Sequence, residues 1–321
     1  MNYILQTKNI CKNYGRTQVL RDLNMNIPRN SIYGFVGKNG AGKTTLIRQI
    51  CGLQKPTSGS YELFGISNES KDIIKSRKRM GAIVESPALY GGLSAVDNLK
   101  QQYLNLGLPS YNGIEELLEL VGLSGTGKKK VRNFSLGMRQ RLAIAVVLCG
   151  NPEFIVLDEP INGLDPQGII EIRELILKLN REQGITILIS SHILEELVKI
   201  ATHYGFLDNG CLLREMSAEE LAAECRKSVR LKISNSQAFV NVMEQRKIEY
   251  KLLDEETAEV FGEISISELV LELTGNGCEV RSMQEHDENL ESFYLSLIGG
   301  KGQTCIAFFA IKDFFPLFRF W

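Results

Sequence analysis

The sequence predicts an α/β core with an antiparallel β subdomain, a helical insert and a small C-terminal α+β appendage. Three stretches carry that prediction. Ser31-Ile32-Tyr33-Gly34-Phe35-Val36 is a β-rich run that passes through a glycine-rich loop, Gly37 to Thr45, into the helix-like spacing of Thr45 to Ile50. Phe154–Leu157 and Thr186–Ser190 are uninterrupted apolar or β-favouring runs, the pattern of strands buried on both faces of a parallel sheet. Between about Ser86 and Gly150, Leu99, Tyr103 and Leu106, then Leu117, Leu118 and Val121, recur at helical intervals.

The elements follow in order. Residues 3–27 read as antiparallel strands, with Leu23, Met25 and Ile27 alternating with Asn24 and Asn26. Gln54-Lys55-Pro56-Thr57-Ser58-Gly59 breaks the first helix into a turn. Residues 60–84 return to short strands around a basic segment, Lys71 to Arg79, before the helical insert at about 86–150. Ile169 to Gln183 is an amphipathic helix. Asp208-Asn209-Gly210 is a hairpin turn between Tyr204–Leu207 and Cys211–Leu213. Ser217-Ala218-Glu219-Glu220 has the form of a capping box. These elements make a first domain over 1–227. Short strand and helix patterns then alternate over 228–300, an α+β accessory unit that includes a helix from Ser267 to Thr274.

The last stretch, 301–321, holds six of the 14 phenylalanines and the single tryptophan, Trp321. Lys312, Asp313, Pro316 and Arg319 interrupt it, so it is not expected to span a bilayer; it reads as an artefactual or frame-shifted end, with an interfacial anchor as the alternative.

With 321 residues the chain can hold one large domain or two ordinary ones. A formal net charge of −1 gives no general attraction to nucleic acid or anionic lipid, so neither is expected as a partner. Seven cysteines lie scattered without C-x-x-C spacing, which argues for a reducing compartment and against disulfides or zinc. Met1-Asn2-Tyr3 leads straight into strand-like sequence, so no signal peptide is expected, and no apolar stretch approaches the roughly 20 residues of a spanning helix.

The chemistry centres on Gly37-Lys38-Asn39-Gly40-Ala41-Gly42-Lys43-Thr44-Thr45. Its form, G-x-x-x-x-G-K-T between a strand and a helix, is the phosphate-binding loop of P-loop NTPases. The glycines let several backbone N–H groups converge on one anion, and the following helix adds its positive end. Lys43 would reach the β- and γ-phosphates, and the Thr44 hydroxyl would ligate Mg²⁺. This loop alone leaves ATPases and GTPases of many kinds open.

Further signals narrow the field. Tyr14 lies 23 residues before Gly37, where an aromatic ring could stack on adenine or simply pack on a strand end. Asp158-Glu159 closes the apolar strand Phe154–Leu157. Asp158 fits the carboxylate that holds Mg²⁺, and Glu159 fits a general base acting on water. His192 follows Thr186–Ser191, at the carboxyl edge of a parallel sheet, where it could meet the γ-phosphate. His203 and His286 have no such setting. Ser135 and Gly137 open the apolar helix Leu142–Cys149, a second helix start suited to an anion.

Taken together these residues resemble the ATP-binding subunit of an ABC transporter, over roughly residues 3–220. Tyr14 stands as the A-loop, Gly37–Thr44 as Walker A and Glu85 at the Q-loop position. Ser135, Leu136, Gly137 and Met138 stand as the signature, Phe154–Glu159 as Walker B, Asp165 as the D-loop and His192 as the switch histidine. The resemblance implies ATP and Mg²⁺ as cofactors, with Thr44, Asp158 and Glu85 at the metal and Lys43, Glu159, His192 and Glu85 in catalysis. It also implies a homodimer in which the signature acts on the partner's nucleotide. A separate membrane permease would engage the insert and hold the chain at the cytoplasmic face of the membrane.

Two departures stand out. The signature reads Phe134-Ser135-Leu136-Gly137-Met138, keeping Ser135 and Gly137 but not the usual fourth glycine and fifth glutamine. Glu85 replaces the usual glutamine and adds charge beside Asp158 and Glu159. With the appendage, this form is similar to the branch serving bacitracin and lantibiotic export or immunity. The alternatives are an exporter of another substrate and a soluble ATPase of the same type without a membrane partner. Against the latter, the chain carries neither a second cassette nor a long coiled coil.

Overall fold

The computed structural model describes residues 2–225, 228–262, 265–286 and 290–299. The tail over 301–321 lies outside them. The chain opens with β1 (Tyr3–Tyr14), β2 (Thr17–Leu23) and β3 (Asn26–Pro28), and β1 pairs antiparallel with both. Leu23, Met25 and Ile27 are fully buried while Asn24 is exposed, the face segregation that their alternation implies.

A buried strand β4 (Ile32–Gly37) leads through the glycine-rich loop into helix α1 (Lys43–Ile50). Next, β5 (Ser58–Leu63) and β6 (Ile66–Ser67) complete an antiparallel sheet in the order β2-β1-β5-β6, with β3 also on β1. Ile73–Arg77 forms a short helix, α2, whose Ile73 and Ser76 are buried, and β7 (Met80–Ile83) follows.

The insert holds α3 (Ala95–Leu106), α4 (Ile114–Leu120) and α5 (Leu136–Leu148). A capping box opens α3: the Ser94 hydroxyl accepts from the Asp97 N–H at 3.1 Å, an arrangement worth on the order of 1 kcal/mol. Gly107, at φ 68°, closes it. Then come β8 (Phe154–Asp158), α6 (Pro166–Gln183), β9 (Thr186–Ser191) and α7 (Leu194–Val198). The hairpin β10 (His203–Asp208) and β11 (Cys211–Ser217) precedes α8 (Ala218–Glu224), which starts at the expected Ser217/Glu220 capping box.

The second sheet runs β11-β10-β4-β9-β8-β7, parallel throughout except for the β10–β11 hairpin. Its central strands are buried along their whole length, which is why their sequences show no alternation. Phe35, Val156 and Leu188 face the antiparallel sheet and α1. Val36, Leu157 and Ile189 face the helices, among them Leu142 and Ile172. This double cover ties the sheet in place, each fully buried large side chain contributing roughly 1.5–3 kcal/mol. The carboxyl ends of β4, β8 and β9 therefore meet at one fixed edge.

Beyond the cassette, β12 (Ser228–Ile233), α9 (Ser236–Arg246), β13 (Tyr250–Leu252), β14 (Thr257–Phe261), α10 (Ile266–Gly275) and β15 (Val280–His286) form a β-α-β-β-α-β unit. Its antiparallel sheet runs β13-β14-β12-β15, the split βαβ arrangement, around Leu231, Phe239, Met243, Val260 and Leu273. The last helix, α11 (Leu290–Gly299), leaves this unit. Leu290, Phe293 and Tyr294 are buried with Phe206 and Leu197 of the cassette. Among the described residues no helix is long and apolar enough to cross a membrane.

Candidate functional site

The glycine-rich loop stands at the end of β4, and its glycines are there for steric reasons. Gly42 has φ +114°, and a Cβ there would come 2.7 Å from the Leu20 side chain. Gly40, at φ +82°, has open space around it, so the loop's inner surface stays bare. Lys38, Asn39 and Gly40 form an exposed tip, whereas Ala41, Gly42 and Lys43 are buried. Thr44 and Thr45 are half-buried in the first turn of α1.

Three strand ends bring the reactive side chains together. The Lys43 Nζ donates to the Gly37 carbonyl at 2.5 Å and lies 3.2 Å from a Glu159 carboxylate oxygen. The second Glu159 oxygen is 2.8 Å from the Nδ1 of His192. The buried ammonium is thus neutralised by one carboxylate and the imidazole orients that carboxylate from the other side. Glu159 itself has φ 51°, the left-handed region that a non-glycine residue adopts at a cost of order 1 kcal/mol or more. Its N–H donates to the Ser190 carbonyl at 3.2 Å and to the Ser190 hydroxyl at 3.0 Å, which hold the turn.

Asp158 is 2% exposed and both of its oxygens accept hydrogen bonds: from the Thr44 hydroxyl at 2.8 Å and from the Ser190 hydroxyl at 2.5 Å. Ser190 links Asp158 to the Glu159 turn, and the sequence reading did not single it out. The signal was present, as a pair of hydroxyl residues closing a buried strand directly before His192. Among the described residues no group of three or more His, Cys, Asp or Glu side chains is placed to hold a metal. A hydroxyl and one carboxylate do fit Mg²⁺, which retains several waters and takes its remaining oxygens from phosphates.

The remaining expected site residues lie outside this hydrogen-bonded set. Glu85 has φ 64° and its carboxylate sits 2.5 Å from Arg48 of α1, an exposed pair. The arginine partner was not foreseen. Tyr14 is 45% exposed, its hydroxyl donates to Gln54, and the Lys12 ammonium lies 5.4 Å from the ring centre, leaving an accessible aromatic face.

Ser135 caps α5, its hydroxyl accepting from the Met138 N–H at 3.2 Å. Ser135 and Leu136 are exposed, and Gly137 and Met138 half-exposed. Asp165 caps α6 through the Gly168 N–H at 3.0 Å. Gly137 adjoins Leu164 and Gly168, so signature and D-loop form one surface. Among the described residues no hydrogen bond or ion pair joins that surface to Gly37–Thr45.

A groove of about 920 Å³ runs between the sheet and the insert, lined in part by Met80, Ala82, Tyr90, Gln102, Leu106 and Val147.

Comparison with known proteins bears on this arrangement. The family model for "ABC transporter" matches residues 20–162. The chain is 41% identical over 306 residues to a bacitracin transport ATP-binding protein of Bacillus licheniformis, covering 94% of this chain and 99% of that protein. It is 44% identical over 212 residues to a lantibiotic transport ATP-binding protein of Streptococcus pyogenes, covering 66% of this chain and 90% of that one. Among solved structures, a dimeric ATP-binding cassette described in a post-hydrolysis state with ADP and Pi superposes with a TM-score of 0.60 at 26% identity, covering 67% of this chain and 98% of that one.

Proposed function

The chain belongs to the ABC transporter family as an ATP-binding, ATP-hydrolysing subunit, and we propose that two copies clamp MgATP between Gly37–Thr45 of one and Ser135–Met138 of the other. One observation carries this reading. Lys43, Thr44, Asp158, Glu159 and His192 converge from three strand ends into one hydrogen-bonded set. The signature, at the Ser135-capped start of α5, stands exposed and apart from that set.

Each residue then has a task. The loop N–H groups and Lys43 hold the β- and γ-phosphates. Thr44 and Asp158 would hold Mg²⁺, which neutralises charge on the transferring phosphoryl group when bound. Glu159 orients the attacking water and takes its proton, while His192 fixes the Glu159 carboxylate and reaches toward the γ-phosphate. Tyr14 stacks on adenine. Ser135 and Gly137 present the N-terminus of α5 to the partner's γ-phosphate, and Asp165 lies beside them at the dimer seam. Hydrolysis removes that phosphate and the halves separate.

The groove between sheet and insert takes a segment of a separate membrane permease. That contact places the chain peripherally at the cytoplasmic face and converts clamping into transport. Glu85 lies two residues beyond β7, whose Met80 and Ala82 line the groove. Glu85→Gln is expected to leave nucleotide affinity within about fivefold, because an exposed ion pair contributes at most about 1 kcal/mol. On the reading that Glu85 joins the metal's surroundings, the Mg²⁺ dependence of turnover should shift, since the variant carries one carboxylate fewer. A titration superimposable on wild type would remove Glu85 from the metal's surroundings.

The cargo we propose is a peptide antibiotic of the bacitracin or lantibiotic type, exported to confer resistance or immunity. The match to the bacitracin relative runs through the appendage, whereas that to the lantibiotic relative spans only the cassette's length. Co-expression with its permease should raise the bacitracin concentration that stops growth several-fold, and Glu159→Gln should cancel the gain. Growth inhibition unchanged by the active pair would exclude bacitracin as the cargo, and the same assay with a lantibiotic tests the other type.

A further inference from the structure

The helix α11 lies more than 70 residues beyond the end of β11, across the whole accessory unit, yet it returns to the phosphate-binding loop. Tyr294 is its point of contact. The phenol oxygen accepts a hydrogen bond from the Lys38 N–H at 3.1 Å and donates one to the Leu207 carbonyl at 3.1 Å. Leu207 pairs with Gly37 in the parallel sheet, so the hydroxyl spans the seam between β10 and the start of the loop. The ring is 5% exposed and stacks on Phe206, with centroids 6.1 Å apart, and Phe293 meets the same Phe206 edge-on. Burial, with Asp208 nearby, holds the phenol above its ordinary pKa, so it stays protonated and able to donate.

The bond to Lys38 has a particular target. The Lys38 N–H and the Gly37 carbonyl belong to one peptide group, which is planar and turns as a unit. Its carbonyl accepts from the Lys43 ammonium at 2.5 Å and its N–H donates to Tyr294. The same ammonium stands 3.2 Å from Glu159. Rotating that peptide plane would move the carbonyl that seats Lys43. On its N–H side, α11 is what holds the plane.

We propose that Tyr294 is a positioning residue of the nucleotide site, acting through the Gly37–Lys38 peptide on Lys43, so that the C-terminal helix is part of the ATP-binding machinery. The inference rests on the reading of Gly37–Thr45 as the nucleotide loop. α11 also packs beside Leu197 of α7, the helix that follows His192. One helix thus touches the supports of both the phosphate-binding lysine and the switch histidine. The accessory unit thereby gains a covalent route to the active site, and a displacement of α11 that breaks the Tyr294–Lys38 bond changes ATP affinity.

The test uses full-length protein and measures the Kd for Mg²⁺–AMP-PNP, the KM and kcat for ATP, and the thermal midpoint. Tyr294→Phe deletes only the hydroxyl. It should raise Kd and KM together by roughly three- to tenfold, the range that one net hydrogen bond spans, with kcat changing less. Phe293→Leu keeps the hydroxyl and loosens the packing, so it should lower the midpoint while leaving Kd within about twofold. Lys43→Ala is the third arm. If Lys43→Ala loses binding but Tyr294→Phe binds as wild type, the proposal falls alone. If Phe293→Leu and Tyr294→Phe weaken binding in proportion to their loss of stability, the role is merely structural and the proposal again falls. If Lys43→Ala binds nucleotide normally, the site reading fails and takes the proposal with it.

Discussion

Glu159→Gln is expected to bind MgATP about as well as wild type and to turn it over at least two decades more slowly, the usual scale of a general-base loss. The substitution preserves shape. An amide oxygen can still accept from His192 or Lys43 at the 2.8 and 3.2 Å separations that the carboxylate keeps. The loss is of a negative charge able to receive a proton from water. Removing it beside Lys43 also leaves the ammonium free to meet phosphate, so affinity should hold or rise. Single-turnover hydrolysis with equilibrium binding separates the two quantities. Near-normal hydrolysis in the variant would take Glu159 out of the role.

Gly137→Asp should abolish steady-state turnover, by at least 100-fold, without unfolding the chain. The residue does not occupy the left-handed region, and an added Cβ would meet nothing nearer than 3.9 Å, at Gly168 and Leu164. An aspartate in the first turn of α5 even complements the helix dipole, worth about 0.3–1 kcal/mol. The lone subunit should therefore keep its thermal midpoint and its nucleotide affinity. In the proposed dimer the new carboxylate would confront the partner's γ-phosphate, where two negative groups within a few ångströms repel by several kcal/mol once water is excluded. Wild-type turnover in this variant would mean that the signature does not touch nucleotide.

What the sequence disclosed and what it withheld divide along a physical line. A phosphate cradle is local: Gly40 and Gly42 must adopt positive φ, and Lys43 and Thr44 must follow at fixed offsets, so spacing alone exposes the loop. Asp158 and Glu159 were legible because a strand buried on both faces cannot end in two carboxylates without purpose. The supports around them were not legible. Ser190 reaches Asp158 only because β8 and β9 are neighbours, and Arg48 meets Glu85 only because the fold brings α1 beside the segment that follows β7.

The accessory unit shows the same limit. Its strand and helix alternation was visible, but α11 read as part of it, whereas the structure docks that helix on Phe206 and the phosphate-binding loop. The stripe Leu290, Phe293, Tyr294 and Leu297, at i, i+3, i+4 and i+7, announced an apolar face without naming what it covers. The basic segment around α2 was likewise read for its charge, although Ile73 and Ser76 give it a buried side.

The central claim is that each nucleotide site is built from two chains, and mixing two inactive variants tests it most directly. Lys43→Ala removes the lysine proposed to bind phosphate and Gly137→Asp spoils the proposed signature, so each homodimer should have no intact site. A mixed dimer has one, formed by the unaltered loop of one chain and the unaltered signature of the other. Mixing equal amounts should restore turnover to about a quarter of wild type, as expected for a two-fold dimer with random pairing and independent sites. Activity no greater than the sum of the two variants measured separately would contradict the account.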